Sequence, residues 1–217
     1  MIVIDANKRK ELSDIGYNCD FSDSIDSKYP NILEMTKVEL HTHLLGSFNL
    51  EDLWELCKKY NKDTIYPEFI AHFGNYHNFD DFSKTRKYKN KLIHSYEDFS
   101  FLMDGYIQYL KKQHIVYVEP AIAMFELPPL KPERLIEIAH NKLKEGGIQF
   151  SFIMDLIRGD GPKELKKRYD FYHELSPEYN IRGVGLAGNE RKYGLNPNLI
   201  PIFDEAKTDG YGISIHL

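Results

Sequence analysis

The 217-residue sequence predicts an α/β fold, namely a parallel (β/α) TIM-type barrel that is truncated after its fifth strand and has a helical insertion after strand 1. Short apolar segments begin at residues 115, 149, 183 and 212, which are 34, 34 and 29 residues apart. A helix start lies between each pair of neighbouring segments, and this alternation is typical of βαβ units on a parallel sheet. A complete small doubly wound sheet is the alternative architecture, but no glycine-rich phosphate loop follows the first strand.

Five segments are predicted to be strands because they are short and either apolar or alternating. They are Lys37–His43, Ile115–Val118, Gln149–Met154, Gly183–Leu186 and Gly212–Ile215. Side chains alternate between the two faces of a strand, so Glu39, His41 and His43 are expected to point the same way. A barrel of eight strands typically needs about 250 residues, so five strands correspond to an incomplete barrel.

Proline residues predict the helices between the later strands, because the fixed φ of proline suits the first helical position. Pro132, Pro162 and Pro197 mark three such starts. Gly146 and Gly210 follow the apolar stripes of the first and third of these helices and are expected to end them.

The predicted domain organisation is a polar N-terminal extension over residues 1–35 and a partial barrel over residues 36–217. A helical insertion at about residues 49–113 interrupts the barrel after its first strand. Asn49 is expected to cap the first helix of the insertion, and a further helix is expected from about Ser95 to Gln113. The aromatic residues between them are interpreted as core: Tyr66, Phe69, Phe73, Tyr76, Phe79 and Phe82.

The composition argues against two function classes. A formal net charge of −5 disfavours a general nucleic-acid-binding protein, whose domain is normally basic. The one basic run, Lys84–Lys91, is interpreted as a solvated loop or helix face. No apolar stretch approaches the roughly 20 residues of a membrane span, so no membrane partner is expected. Cys19 and Cys57 form no CxxC pair, and with no apolar signal segment they favour a soluble protein of the reducing cytoplasm.

Histidines at the carboxyl ends of two predicted strands carry the chemistry. His41 and His43 lie two residues apart on one strand, so both imidazoles can bind the same metal ion. His216 follows the fifth strand, and in a closed barrel it lies on the same rim as the pair. An HxH pair alone, or a lone histidine, is more often a surface or packing feature. Three imidazoles on one rim favour a catalytic type of zinc site.

Several motifs resemble the adenosine deaminase family. Lys37–Ser47 (KVELHTHLLGS) is similar to that family's opening motif KxELHxHLxGS, and Leu186–Glu190 (LAGNE) resembles its LAGxE element. Ile213–His216 resembles the strand that leads into the HAGE motif of the family, and Leu156–Arg158 and Val116–Glu119 match in order. The resemblance runs from about residue 37 to the last residue.

The resemblance implies an adenosine deaminase-like hydrolase that removes the amino group of adenosine or a related 6-aminopurine nucleoside or nucleotide. This purine compound would be the small-molecule partner of the protein. It implies that His41, His43 and His216 are ligands of Zn²⁺. It also places His43 and the backbone of Gly188 at the substrate, with Gly188 hydrogen-bonded to a ring nitrogen of the purine. In this family the metal activates a water molecule that attacks C6 of the purine, and ammonia departs.

Three features depart from the family pattern. Leu45 stands where members usually carry a carboxylate or amide that contacts the sugar, so ribose recognition is not implied. Ala121 stands where an arginine often occurs two residues after the Val-Glu pair. The largest departure concerns catalysis, because the acid–base glutamate of the family would lie just beyond Leu217.

No catalytic residue is therefore assigned within the sequence, and Asp155, Asp160 and Glu190 are poor replacements for that glutamate. The later histidine and the metal-binding aspartate of the family are also missing. A chain of this length is expected to be inactive alone, because general acid–base catalysis contributes roughly 10²–10⁴-fold to the rate. It is expected to be a fragment of a longer reading frame. A shorter, non-catalytic protein and a second chain that completes the barrel are the alternatives.

Two other functions stay open. One is a catalytically silent deaminase fragment or purine-binding protein that keeps the histidines and the purine-facing loop. The other is a different metal-dependent amidohydrolase or phosphoesterase, because many such enzymes share an HxH motif on their first strand. Nitrogen ligands also suit several first-row divalent ions, so the metal itself stays open.

Overall fold

A computed structural model describes residues 34–60, 77–194 and 196–216. Most of the predicted extension over residues 1–35 lies outside the described residues, as do Tyr66, Phe69, Phe73 and Tyr76. By its contacts the chain divides into two compact units. One comprises Phe48–Ile115 with the residues up to Lys37, and the other comprises Val38–Ser47 with Val116–Leu217. The boundaries predicted from the sequence stay a prediction.

The described part of the first unit is helical. Its α-helices are α1 (Leu50–Lys59), α2 (Phe79–Asn90) and α3 (Tyr96–Lys112). The prediction for α3 is confirmed: Ser95 caps its start, Gln113 follows its end, and its apolar face is fully buried at Phe99, Leu102, Met103, Tyr106 and Leu110. This face supplies the core of the unit, and the Phe48 ring meets that of Phe99 edge-on at 5.8 Å.

A buried carboxylate joins the start of α3 to the end of α1. Asp98 and Ser95 form a capping box, in which the side chain of each residue accepts a hydrogen bond from the backbone N–H of the other. Asp98 also accepts hydrogen bonds from Lys59 Nζ at 2.6 Å and from the Tyr60 hydroxyl at 2.7 Å. The residue that helps to cap α3 therefore also links α3 to the end of α1.

The second unit is built on a sheet with strands in the order β1, β2, β4, β5, β6, while the short β3 pairs with β2. The strands are β1 (Lys37–His43), β2 (Ile115–Ile122), β3 (Gln149–Phe150), β4 (Phe152–Ile157), β5 (Ile181–Ala187) and β6 (Gly212–Ile215). The registers of the pairs from β2 to β6 are parallel. The fold class is thus that of a parallel (β/α) TIM-type barrel, as predicted.

Helices connect these parallel strands. They are α4 (Pro132–Glu145), α5 (Gly161–Tyr179), α6 (Glu190–Tyr193) and α7 (Ile200–Thr208). The longest of them, α5, packs on β4 and β5. Its Tyr172 is fully buried, and the hydroxyl donates to the Ile122 carbonyl at 2.9 Å and accepts from the Met124 amide at 3.2 Å. A parallel sheet needs such a covered face, because its strands are apolar on both sides.

The predicted helix ends differ in detail from the observed ones. Gly146 follows Glu145, the last residue of α4, but keeps a right-handed φ of −68°, and the left-handed conformation is taken by Gly147 with φ +73°. A left-handed residue also follows α7, where Gly210 has φ +85°. Pro197 begins a short 3₁₀ turn, and α7 proper starts only at Ile200. Asn49 precedes α1, but its side chain donates to Asp52 and does not cap the helix.

The basic run Lys84–Lys91 lies mostly on a solvated part of α2, but Lys89 is only 6% exposed, so the prediction is wrong for this residue. Burial lowers the pKa of Lys89 from 10.5 to about 8. Within the described ranges of the chain, no helix is long and apolar enough to cross a membrane.

Candidate metal centre

Three imidazoles meet at the carboxyl ends of β1 and β6. The Nε2 atom of His216 lies 2.9 Å from Nε2 of His41 and 2.9 Å from Nε2 of His43. One ring nitrogen from each histidine falls within 4.8 Å of the other two. The rings of His43 and His216 are stacked, with centroids 5.0 Å apart. The structure thus brings together the three histidines that the sequence singled out.

The strand ends determine which way these rings point. His41 and His43 share a face of β1 by the two-residue period, although His41 has a positive φ of +57°. A non-glycine residue in this region is uncommon, and such strain tends to occur at functional sites. His216 continues the β5–β6 ladder, because its N–H donates to the Leu186 carbonyl at 3.1 Å. Two different strands therefore aim their side chains at one point.

Other polar groups contact the far side of the His41 and His43 rings and the backbone of His216. Nδ1 of His43 lies 3.0 Å from Oδ2 of Asp155, a residue of β4 that is only 4% exposed. Nδ1 of His41 contacts the hydroxyl of Ser214 on β6. The carbonyl of His216 accepts a hydrogen bond from the guanidinium of the buried Arg158. With Nδ1 occupied in both histidines of β1, their Nε2 atoms remain for an ion.

The electrostatics of the cluster suit a divalent cation. Burial lowers the pKa of His216 below its ordinary 6.5, and the neighbouring His43 and His41 lower it further. A neutral imidazole keeps the lone pair that a metal requires. Two nitrogens bound to one zinc ion at about 2.0–2.1 Å each are at most about 4 Å apart, so the 2.9 Å separations are compatible with a shared ion. The donor set of imidazoles fits zinc and related first-row ions.

The remaining predicted site residue, Gly188, follows β5 and has φ +103°. A Cβ atom there would lie 3.3 Å from Cγ2 of Ile157. The positive φ and this close approach both favour glycine at residue 188. Leu45 is 6% exposed and Ala121 is 2% exposed, so both apolar replacements are part of the core.

The three carboxylates considered as replacements for the family glutamate fall in different places. Asp160 lies 2.6 Å from the Arg168 guanidinium, and burial raises its pKa above the ordinary value. Glu190 is exposed at the start of α6. Asp155 alone reaches the histidine cluster, through Nδ1 of His43.

Sequence reasoning missed the supporting roles of Asp155 and Ser214. The signal for Asp155 was a single charged residue within the otherwise apolar strand Phe152–Ile157, because a buried carboxylate needs a partner. Ser214 carried no comparable signal, since serine is common in strands of either exposure.

The fold and the cluster define a (β/α) barrel protein whose histidines gather at the carboxyl ends of the strands, where the active sites of such barrels lie. A family model described as "Adenosine deaminase" matches residues 36–217. The chain therefore belongs to the adenosine deaminase family.

Individual relatives have several related activities. An adenine deaminase of Mesorhizobium japonicum is 26% identical over 190 residues, which are 83% of this chain and 56% of that protein. An N6-methyl-AMP deaminase of Danio rerio is 26% identical over 196 residues, which are 85% of this chain and 56% of that protein. A crystal structure of an Arabidopsis N6-mAMP deaminase superposes with a TM-score of 0.71 at 16% identity, over 85% of this chain and 59% of that one. The chain thus spans somewhat more than half the length of these relatives.

Proposed function

We propose that this chain provides the metal-binding half of an enzyme that hydrolytically deaminates a 6-aminopurine nucleoside, nucleotide or base. One observation carries the proposal: in a member of the adenosine deaminase family, His41, His43 and His216 present ring nitrogens to a common point. Zn²⁺ is the ion that we propose for this point, with His41, His43 and His216 as its protein ligands.

When bound, the metal supplies Lewis-acid activation of a water molecule. The residues of this chain orient and support that chemistry. Asp155 and Ser214 fix the rings of His43 and His41 through Nδ1, and Arg158 holds the carbonyl of His216. The neutral state of His216, favoured by burial, keeps its nitrogen available as a donor. These contacts hold the ligands in place before an ion arrives, which reduces the entropic cost of binding.

The substrate class rests on relatives whose names are those of adenine and N6-methyl-AMP deaminases. We propose that the backbone of Gly188 hydrogen-bonds a ring nitrogen of the purine and that His43 lies beside the substrate. Leu45 is buried and has no polar group for a sugar hydroxyl. We therefore expect discrimination among adenine, adenosine and N6-methyl-AMP to depend on residues other than Leu45.

We further expect that a polypeptide of these 217 residues by itself binds zinc weakly and releases no ammonia. It stops before the position that the proton-transferring glutamate takes in the family, and proton transfer contributes roughly 10²–10⁴-fold. We place the protein in the cytoplasm, because a sequence with only two cysteines, Cys19 and Cys57, and no CxxC pair suits a reducing compartment.

The test combines metal content with product formation. The purified protein is loaded with Zn²⁺, dialysed, and analysed for bound zinc. Amine release is then measured, as ammonia from adenine and adenosine and as methylamine from N6-methyl-AMP. We expect His41→Ala, His43→Ala and His216→Ala each to lower zinc content, and to abolish deamination in any longer form of the protein that is active. His173→Ala is the matched control, because His173 is an exposed histidine of the same unit.

Full zinc content in all three variants would show that the histidines are not ligands and would overturn the proposal. Zinc and purine binding without release of ammonia or methylamine, in a longer form that contains the family glutamate, would favour the purine-binding alternative.

A further inference from the structure

A carboxylate inside the sheet stands directly behind one of the clustered histidines. Asp155 is the fourth residue of β4, its side chain is 3% exposed, and its Oδ2 lies 3.0 Å from Nδ1 of His43. A carboxylate removed from water is costly unless it is paired or hydrogen-bonded. A side chain of this type in an apolar strand therefore needs a reason, and in this chain its partner is a histidine of the candidate metal centre.

The neighbouring strand leaves room for this carboxylate. Asp155 pairs in register with Gly185 of β5. A Cβ atom at residue 185 would lie 3.3 Å from Oδ1 of Asp155, which is tighter than most contacts of a real Cβ atom. The absence of a side chain at Gly185 thus lets the Asp155 carboxylate lie beside β5 and reach towards β1.

The contact has a defined chemical consequence for the histidine. An ionised carboxylate accepts hydrogen bonds only, so Nδ1 of His43 must carry the proton. The lone pair of the neutral ring then resides on Nε2, the atom that lies 2.9 Å from Nε2 of His216. A carboxylate on the opposite nitrogen also makes an imidazole a stronger metal donor and limits rotation of the ring.

We propose that Asp155 is a positioning residue for the metal centre: it selects the Nδ1–H tautomer of His43 and turns Nε2 towards the ion. The inference rests on the proposed function, since it assumes that the three histidines bind a metal. The hydroxyl of Ser214 stands in the corresponding place behind His41, but it is neutral and can either donate or accept. Asp155 therefore enforces one tautomer, whereas Ser214 does not.

The experiment measures zinc affinity of the full chain by competition with a chromophoric chelator. The variants are Asp155→Asn, which keeps the volume, and Asp155→Ala. Asp170→Asn is the matched control, because Asp170 is an exposed carboxylate of the same unit. We expect both Asp155 variants to weaken zinc binding by about 10- to 100-fold, the range typical of such outer partners, and the control to bind as the wild type does.

A second readout separates positioning from a merely structural role. Long-range ¹H–¹⁵N spectra of the metal-free chain show which nitrogen of each histidine ring carries the proton. We expect His43 to be protonated at Nδ1 in the wild type and to shift towards the Nε2–H form in Asp155→Ala, while the tautomer of His41 does not change.

The outcomes are distinguishable. If the wild type binds zinc and both Asp155 variants bind it equally tightly with an unchanged His43 tautomer, the inference is wrong and the proposed function stands. If the wild type binds no zinc, or if removal of the histidines leaves zinc binding intact, the proposed metal centre fails and the inference fails with it.

Discussion

Replacement of Asp98 by asparagine tests how the helical unit is held together. Three donors converge on Oδ2 of Asp98, namely the Tyr60 hydroxyl and the backbone amides of His94 and Ser95, while Lys59 Nζ contacts Oδ1. Asparagine has the same shape and retains one acceptor oxygen. It loses the charge, however, and its amide group would face the Lys59 ammonium.

The magnitude follows from the change in the hydrogen bonds. A bond to a charged acceptor contributes about 1.5–3 kcal/mol, and a neutral bond about 0.5–1.5 kcal/mol. Three bonds to Oδ2 that each weaken by about 1 kcal/mol lower the free energy of unfolding by about 3 kcal/mol. The loss of the Lys59 contact adds to this in the same direction.

The pH dependence provides a second, independent signature. Burial raises the pKa of Asp98, but the hydrogen bonds from Lys59, Tyr60 and His94 outweigh it and hold the pKa below 3.8. The folded protein thus binds a proton less readily than the unfolded chain, so the stabilisation is present above about pH 4 and disappears as the pH falls through the lowered pKa. The difference between wild type and Asp98→Asn should shrink in that acidic range.

Urea unfolding followed by the fluorescence of Trp54 suits this test, because the single tryptophan of the sequence lies in α1 of the same unit. Glu97→Gln is the matched control, since Glu97 is an exposed carboxylate in the first turn of α3. A change in Asp98→Asn no larger than that in the control, or a difference that stays constant from pH 7 to pH 3, would refute the reasoning.

Two further predictions concern other buried polar groups. Because the pKa of Lys89 is lowered to about 8, the unfolded chain binds more protons than the folded chain between about pH 8 and 10.5, so the free energy of unfolding of the wild type should rise by up to about 1.4 kcal/mol per pH unit in this range. Urea unfolding of Lys89→Met should show no such rise, and an equal rise in both proteins would contradict the assignment. Tyr172→Phe should lower the free energy of unfolding by about 1–3 kcal/mol, because the Ile122 carbonyl and the Met124 amide lose their buried partner, whereas Tyr193→Phe at an exposed position should have little effect.

The sequence predicted the order of strands and helices well where a single physical signal dominated. The apolar stripe of α3 and the proline at the start of α4 located those helices correctly. The two-residue period placed His41 and His43 on one face. The convergence with His216 was also anticipated, because parallel strands end at the same edge of a barrel.

The prediction made β2 too short and missed α2, because in both segments the residue types oppose the structure that is observed. β2 runs on through Pro120 to Ile122, since the proline falls between the residues paired with β3 and those paired with β4. α2 was not predicted, and the interpretation of Phe79 and Phe82 as core is wrong, because both lie on its exposed face while Lys89 is buried. This arrangement reverses the usual apolar stripe. The pairing of Asp155 with His43 depends on the register of strands far apart in the chain, which no local pattern specifies.

Strand register also links the candidate site to the folding of the sheet. Asp155 pairs with Gly185, and Gly185 pairs in turn with Ser214, so these residues form one transverse row across β4, β5 and β6. A slip of β6 by a single residue would turn both Ser214 and His216 to the opposite face of the sheet. The proposed ion, which requires all three imidazoles, would therefore bind only to chains in which β6 is correctly registered. Bound metal would then report on strand pairing, because a chain with a misregistered β6 would fail to retain the ion.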